Sequence, residues 1–414
     1  MQILSSNYPI TIKQPVTLRY LFLKFLKIGL VSFGGYMALV AMIQRELVEK
    51  DQVIEPDVIT DGISIASLLP GPLAVSIVAY VGYHTKNKMG AFIAVIAVLL
   101  PATVTMLILS WCYFNYGYKS HWNQVLFYTT GTVSGIILTT GVQIYKKDVQ
   151  GSLIKNVLSI VSFILIIFLN SYLATLGLIA LGGLAGYYLK LHGPLRVTGN
   201  ESKVGSKLLF NWKMKIATLL LGVIELSYIF NLNQFFQNIY LKISLVFSGI
   251  SLSLFGGGYV MIPIMQSMLV GNLKWITSQE FLDCIAFSQL TPGPILVSSV
   301  FIGYKLTGFA GAIAALVATF APSAILMVMV SKIFAVHKER TWLRNSMAGI
   351  KPVVVGLIVA STGKLLHAVP FNISIIIICA LTFFISLKYK VSPVYLILAS
   401  LVVGVCLTFF PISI

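Results

Sequence analysis

Long apolar stretches alternate with short polar, mostly basic punctuation from Thr17 to the end of the chain. A bilayer crossing needs about twenty apolar residues, and helices that are apolar on all sides belong in lipid or a large core. The pattern predicts helices near 17–43, 60–83, 90–112, 124–145, 153–169 and 171–189. A second set follows near 241–266, 282–304, 308–331, 347–366, 372–387 and 393–412, with one more span near 216–232. Alternation at a period of two, which would mark barrel strands, does not occur. The expected fold class is an all-α polytopic membrane protein with about thirteen transmembrane helices. The opening residues, too polar for a cleavable signal, are expected to leave the first span as insertion signal.

Interruptions of the apolar pattern recur in register. "SLLPGPLAVSIVAYVGY" from Ser67 is echoed by "QLTPGPILVSSVFIGY" from Gln289. The offset from Pro70 to Pro292 also superimposes Phe33-Gly34-Gly35 on Phe255-Gly256-Gly257, and Asp61 on Asp283. With one residue inserted in the first copy, Gly82, Gly90, Pro101 and Gly135 meet Gly303, Gly311, Pro322 and Gly356. The chain is read as an internal duplication.

Charge then assigns sides. The net charge is +17, and the basic residues sit in short loops, as orientation signals and contacts to anionic lipid. That reading excludes a nucleic-acid partner. With the N-terminus cytoplasmic, Lys86, Lys88, Lys146, Lys147, Lys338 and Lys388 all fall inside, and the C-terminus outside. Six of the twelve acidic residues crowd between Glu46 and Asp61, a loop expected to be external. The domains expected are a cytoplasmic N-terminus (1–16), a first repeat (17–189), a basic cytoplasmic linker (190–215), a connecting helix (216–232) and a second repeat (233–414). The single connecting span inverts the second repeat relative to the first, a transporter signature. The charge pattern also favours full crossings by the Pro-Gly-Pro segments.

A proline in a helix interior costs about 3 kcal/mol, so two prolines around a glycine mark a deliberate break. The half-helix after Pro72 or Pro294 offers backbone N–H groups and a positive dipole end, which suit an anion. Candidate binding residues are Ser67, Pro70, Gly71, Pro72 and Ser76, with Gln289, Thr291, Pro292, Gly293, Pro294 and Ser298 in the second copy. Gly34, Gly35, Gly256 and Gly257 admit close backbone approach, although packing alone explains such glycines equally well. Lys351, inside a span beside Pro352, is a candidate for attracting an anion. Asp61, Asp283 and Lys27 are candidates for coupling or for structure. Lys24 is expected to snorkel to the interface. Cysteine and histidine spacing gives no metal motif, and no cofactor is expected.

These motifs resemble a known family. "SFGGYMALVAMIQRELV", "SLLPGPLAVSIVAYVGY", "LFGGGYVMIPIMQ" and "FLDCIAFSQLTPGPILVSSVFIGY" are similar to the two halves of chromate ion transporters, in the long form with two fused domains. Tyr36 and Leu39 depart from the proline and histidine of many first halves. The resemblance implies a secondary transporter of the bacterial inner membrane. It would move chromate and related oxyanions such as sulfate, outward in a resistance role. An oxyanion channel and a sulfate-type importer are the alternatives, and a homodimer is left open. There is no nucleotide-binding loop and no His-Glu-x-x-His motif, so neither an ATP-driven pump nor an enzyme is expected.

Overall fold

The structure is a computed structural model that describes residues 16–33, 36–116, 122–169, 171–191, 238–254, 258–334, 341–368 and 372–409. The linker beyond Leu191 and the expected connecting helix at 216–232 lie outside the described residues, as do Gly34, Gly35, Gly256 and Gly257. Among the described residues every regular element is helical. The first repeat contains α1 (Leu18–Val31), α2 (Tyr36–Ile43), α3 (Pro56–Leu68), α4 (Leu73–Tyr116), α5 (Trp122–Ile144), α6 (Leu153–Leu169) and α7 (Tyr172–Tyr188). The second contains α8 (Ile239–Leu252), α9 (Met261–Met265), α10 (Ser278–Leu290), α11 (Ser298–Phe334), α12 (Thr341–His367), α13 (Ile373–Tyr389) and α14 (Pro393–Phe409). Helices α2, α5 and α9 run on into π-helical turns at Gln44–Lys50, Tyr145–Val149 and Gln266–Asn272.

Among the described residues four helical stretches are long and apolar enough to cross a membrane, within α4, α5, α11 and α12 and their continuations. Their outward faces are apolar: Phe309, Val317, Ile325 and Met329 are exposed along one side of α11, and Phe168, Phe384 and Val402 elsewhere. Exposed apolar side chains on this scale need lipid around them, so this is a membrane protein.

The largest departure from the sequence pattern concerns the broken segments, which fold back instead of crossing. Tyr20 donates to Asp51, and Lys24 and Lys27 both reach Glu46. These pairs centre on the Gly34-Gly35 position, so α1 and the α2 segment are the arms of a hairpin. A Cβ on Gly62 would touch Tyr80, and the Asp61 charge is close enough to act on Tyr80 and His84. Helix α3 and the first arm of α4 are thus a second hairpin, turning at Pro70-Gly71-Pro72. In the second repeat Cys284 donates to the Ser298 carbonyl and Lys305 pairs with Glu280, placing that turn at Pro292-Gly293-Pro294. Each arm of about thirteen residues spans only about 20 Å, too short for the hydrocarbon core.

Helix α4 then doubles back at Lys86 and Asn87, where the backbone leaves helical angles and Asn87 takes φ +53°. Beyond the turn the glycines are needed: a Cβ on Gly82 would lie 2.6 Å from the Gly90 carbonyl oxygen. Helix α11 repeats the device at Thr307 and Gly308, with Gly303 against Gly311. In consequence Asp51, Lys86 and the start of α1 share one face, here the first face. The acidic loop and Lys86 were expected on opposite sides; the hairpins put them on the same one.

The last pairs of helices are exchanged. Helices α6 and α7 pack on α12 of the other repeat, and α13 and α14 pack on α5. Small residues at matching positions allow the contact: Gly135 meets the Cys379 carbonyl, and Gly356 meets the Ser159 carbonyl. The repeats are therefore interlocked, and the site between them is built by both.

Candidate functional site

Each Pro-Gly-Pro tip is tied to the opposite repeat. The Gly71 N–H donates to the Leu254 carbonyl at 2.8 Å, and the Gly293 N–H donates to the Ser32 carbonyl at 2.9 Å. Ser32 and Leu254 immediately precede the two Phe-Gly-Gly elements, so each Pro-Gly-Pro tip is tied to the other repeat's Phe-Gly-Gly break. The contacts below obey the same symmetry, with Gly71 on Ser323 of α11 and Gly293 on Ala102 of α4. Gly71 and Gly293 take φ +126° and +128°, a region costly for any residue with a Cβ. Helix breaking by proline and the glycine's conformation together make the tip.

The tie uses the one amide each Pro-Gly-Pro possesses, so those amides are satisfied by the fold. What remains lies just downstream. The first helical hydrogen bond of α4 runs from Ser76 N–H to the Pro72 carbonyl, and in the second repeat from Val297 N–H to Pro294. The amides of Leu73, Ala74 and Val75, and of Ile295 and Leu296, precede those bonds and have no backbone acceptor among the described residues. All five residues are buried. Buried backbone donors are almost always paired, and a helix start adds a positive dipole end.

Side chains add polarity nearby. Ser76 and Ser298 sit one turn into these helices, 2% and 0% exposed, and among the described residues the Ser298 hydroxyl has no partner. Gln289 donates to the Tyr259 hydroxyl at 2.9 Å, while Thr291 and Ser67 return their hydroxyls to the carbonyls of Ser288 and Ile63. Pro70 and Pro292 flank the tips. Of the candidates read from sequence, Lys351 behaves differently: its Nζ lies 2.6 Å from Asp148 Oδ1, bridging α12 to the end of α5. Asp148 also interacts with Tyr36, just past the first Phe-Gly-Gly. The lysine is therefore a neutralised link between repeats. Lys24 does not snorkel alone either; it pairs with Glu46 and Asp51, and Lys27 holds the other Glu46 oxygen.

The two aspartates part company. Asp61 is half-buried on α3, whereas Asp283 is 2% exposed and accepts from Tyr113 of the first repeat at 2.8 Å. Sequence reasoning missed Ser32, Leu254, Asp148, Tyr113 and Gln279. The first two carry the only available signal, their fixed place before Phe-Gly-Gly.

Interlocked repeats whose broken helices are tied to one another are the architecture of a membrane transporter. A family model described as "Chromate transporter" matches residues 19–187 and 241–405, one stretch in each repeat, and the chain belongs to the chromate transporter family. It is 30% identical over 352 residues to a probable chromate transport protein of Synechococcus elongatus, covering 83% of this chain and 82% of that one. It is 27% identical over 375 residues to a chromate transport protein of Cupriavidus metallidurans (90% and 89% covered). With a chromate transport protein of Pseudomonas aeruginosa the identity is 28% over 415 residues (94% and 92% covered). No solved structure matches.

Proposed function

We propose that this protein is a secondary carrier of tetrahedral oxyanions, chromate first and sulfate as a competitor, which exports chromate across the bacterial inner membrane and confers resistance. The reading rests on one observation: among the described residues the buried amides of Leu73–Val75 and Ile295–Leu296, at two helix starts, have no backbone acceptor. A tetrahedral dianion supplies several acceptor oxygens, and Ser76 and Ser298 supply hydroxyls to the same region. Such a cradle senses charge and shape more than the central atom, so sulfate competes. Burial away from lipid is what lets bare backbone exist at this depth. The first face, which carries Lys86, Lys88, Lys146 and Lys147, is cytoplasmic by the positive-inside rule. The relatives named as chromate transport proteins support the choice of substrate.

Reconstitution into liposomes tests this. Labelled chromate should enter saturably, sulfate should inhibit, and preloaded unlabelled chromate should accelerate uptake by counterflow. Uptake without counterflow would replace the carrier by a channel, and absence of any chromate flux would remove the substrate assignment.

A further inference from the structure

We propose that Asp283 is a proton-binding site whose protonation latches α10 of the second repeat to α4 and α5 of the first. This rests on the carrier reading above and adds a second, coupled ligand to it.

Helix α10 is the first arm of the hairpin that ends at Pro292-Gly293-Pro294, and a Thr277–Glu280 capping box fixes its start. Asp283 lies one and a half turns in, 2% exposed. Its Oδ2 accepts from the Tyr113 hydroxyl of α4 at 2.8 Å, and its Oδ1 accepts from Gln279 Nε2 at 2.9 Å. The same Gln279 nitrogen reaches Thr130 Oγ1 of α5 at 3.1 Å, so the network joins three helices from both repeats. Tyr113 is fixed by edge contacts to Phe114, Phe287 and Phe301.

No cation faces this carboxyl among the described residues. The nearest candidate, Lys305 of α11, lies 2.5 Å from Glu280 and is committed to it. On α10 itself the neighbours are Glu280 and Cys284. From α4 comes Tyr113, and from α5 the uncharged Thr130. The turns at Gln266–Asn272 and helix α14 carry no charged residue. Lys364 of α12 donates to the Ile166 carbonyl. An ionised carboxyl kept from water without a cation is costly, and a bound proton removes that cost. Two weak donors orient the group without neutralising it. The tyrosine hydroxyl can also reverse and accept, so the contact survives protonation.

The consequence is a linkage. With the hairpin seated, Asp283 is dry and holds a proton; when α10 parts from α4 and α5, water reaches it and the proton leaves. Because α10 carries the anion-binding tip, proton and anion movements are mechanically tied. The first repeat differs: Asp61 is half-buried, and in the sequence register Asp57 takes the place of Gln279.

The test uses the full chain in liposomes, with a trapped pH dye and the potential clamped, together with infrared titration of the purified protein. An imposed chromate gradient should drive a pH change in the wild type. Asp283→Asn should abolish that change yet retain chromate–chromate exchange. Infrared spectra should show a protonated carboxyl band in the wild type that titrates and is absent from Asp283→Asn. Tyr113→Phe keeps the ring packing but removes a donor to the ionised form, so the titration midpoint should move by about one pH unit to higher pH. An unchanged pH response in Asp283→Asn, or chromate flux in the wild type without proton movement, overturns the proposal. If the wild type moves no chromate, the carrier reading fails, and the infrared band still decides whether Asp283 binds a proton: no difference between wild type and Asp283→Asn overturns that too.

Discussion

Gly71 and Gly293 occupy equivalent tips with nearly equal φ, yet they differ in what a side chain would meet. A Cβ on Gly71 would lie 2.3 Å from Ser323 Cβ, and one on Gly293 would lie 3.2 Å from Ala102 Cβ. Backbone strain of about 1–3 kcal/mol is common to both alanine variants, and overpacking of similar size falls mainly on Gly71. Gly71→Ala should therefore lower the thermal midpoint in detergent more than Gly293→Ala, and Ser323→Gly should restore part of the loss only in the Gly71 variant. Equal midpoints for the two single variants would show that the Ser323 contact is readily relieved. Leucine at either glycine, the natural test of a blocked anion site from sequence alone, is uninformative because it breaks the tip first. Lys24 makes a related point. It keeps 19% exposure and Lys27 also serves Glu46, so Lys24→Met should cost about 1–3 kcal/mol in thermal unfolding, more than a snorkelling lysine would.

Helix α12 and the end of α5 are joined by Lys351 and Asp148, and the pair separates two roles for that lysine. If Lys351 attracts the anion, Lys351→Gln should weaken chromate binding while Asp148→Asn strengthens it. If the pair is a link between repeats, as the 2.6 Å contact indicates, both variants should impair transport in the same direction. The double variant should then fall short of additivity by about 0.5–3 kcal/mol in a stability cycle. Opposite signs for the single variants in a chromate-binding titration would return Lys351 to the anion site. The contrast also shows what could be read from sequence. Helices, the duplication and the importance of Pro-Gly-Pro follow from local pattern, because apolar length and proline chemistry are local. The hairpins do not: two arms of about thirteen apolar residues have the same summed hydropathy as one crossing. The partners that decide the matter are equally hidden. Leu254 for Gly71, Ser32 for Gly293, Asp148 for Lys351 and Tyr113 for Asp283 all come from the opposite repeat, beyond the reach of spacing.

For the whole molecule, the proposed inversion together with the interlocking would let the proposed anion site serve two faces. Hairpins of the first repeat open on the first face, and Tyr113, near the end of the long arm of α4, meets Asp283 near the start of α10. That contact supports the reading in which the second repeat's Pro-Gly-Pro hairpin opens on the opposite face. Under the proposed export, a dianion moving outward through an interior-negative potential would gain about 4.6 kcal/mol per 100 mV, with no nucleotide required. This arrangement makes a topological prediction that differs from thirteen simple crossings. Single cysteines would be placed at Gln52, Asn87, Lys146, Lys274 and Gly308 after replacing Cys112, Cys284, Cys379 and Cys406. Gln52 follows the first hairpin, Asn87 is the turn of α4, and α4 and α5 then cross and return to Lys146. All three should react with an impermeant thiol reagent from one side of the membrane. Lys274 and Gly308, the counterparts in the second repeat, should react only from the other. If the Pro-Gly-Pro segments crossed fully, Gln52 and Asn87 would label from opposite sides. That single result would also undo the meeting of tips on which the anion site depends.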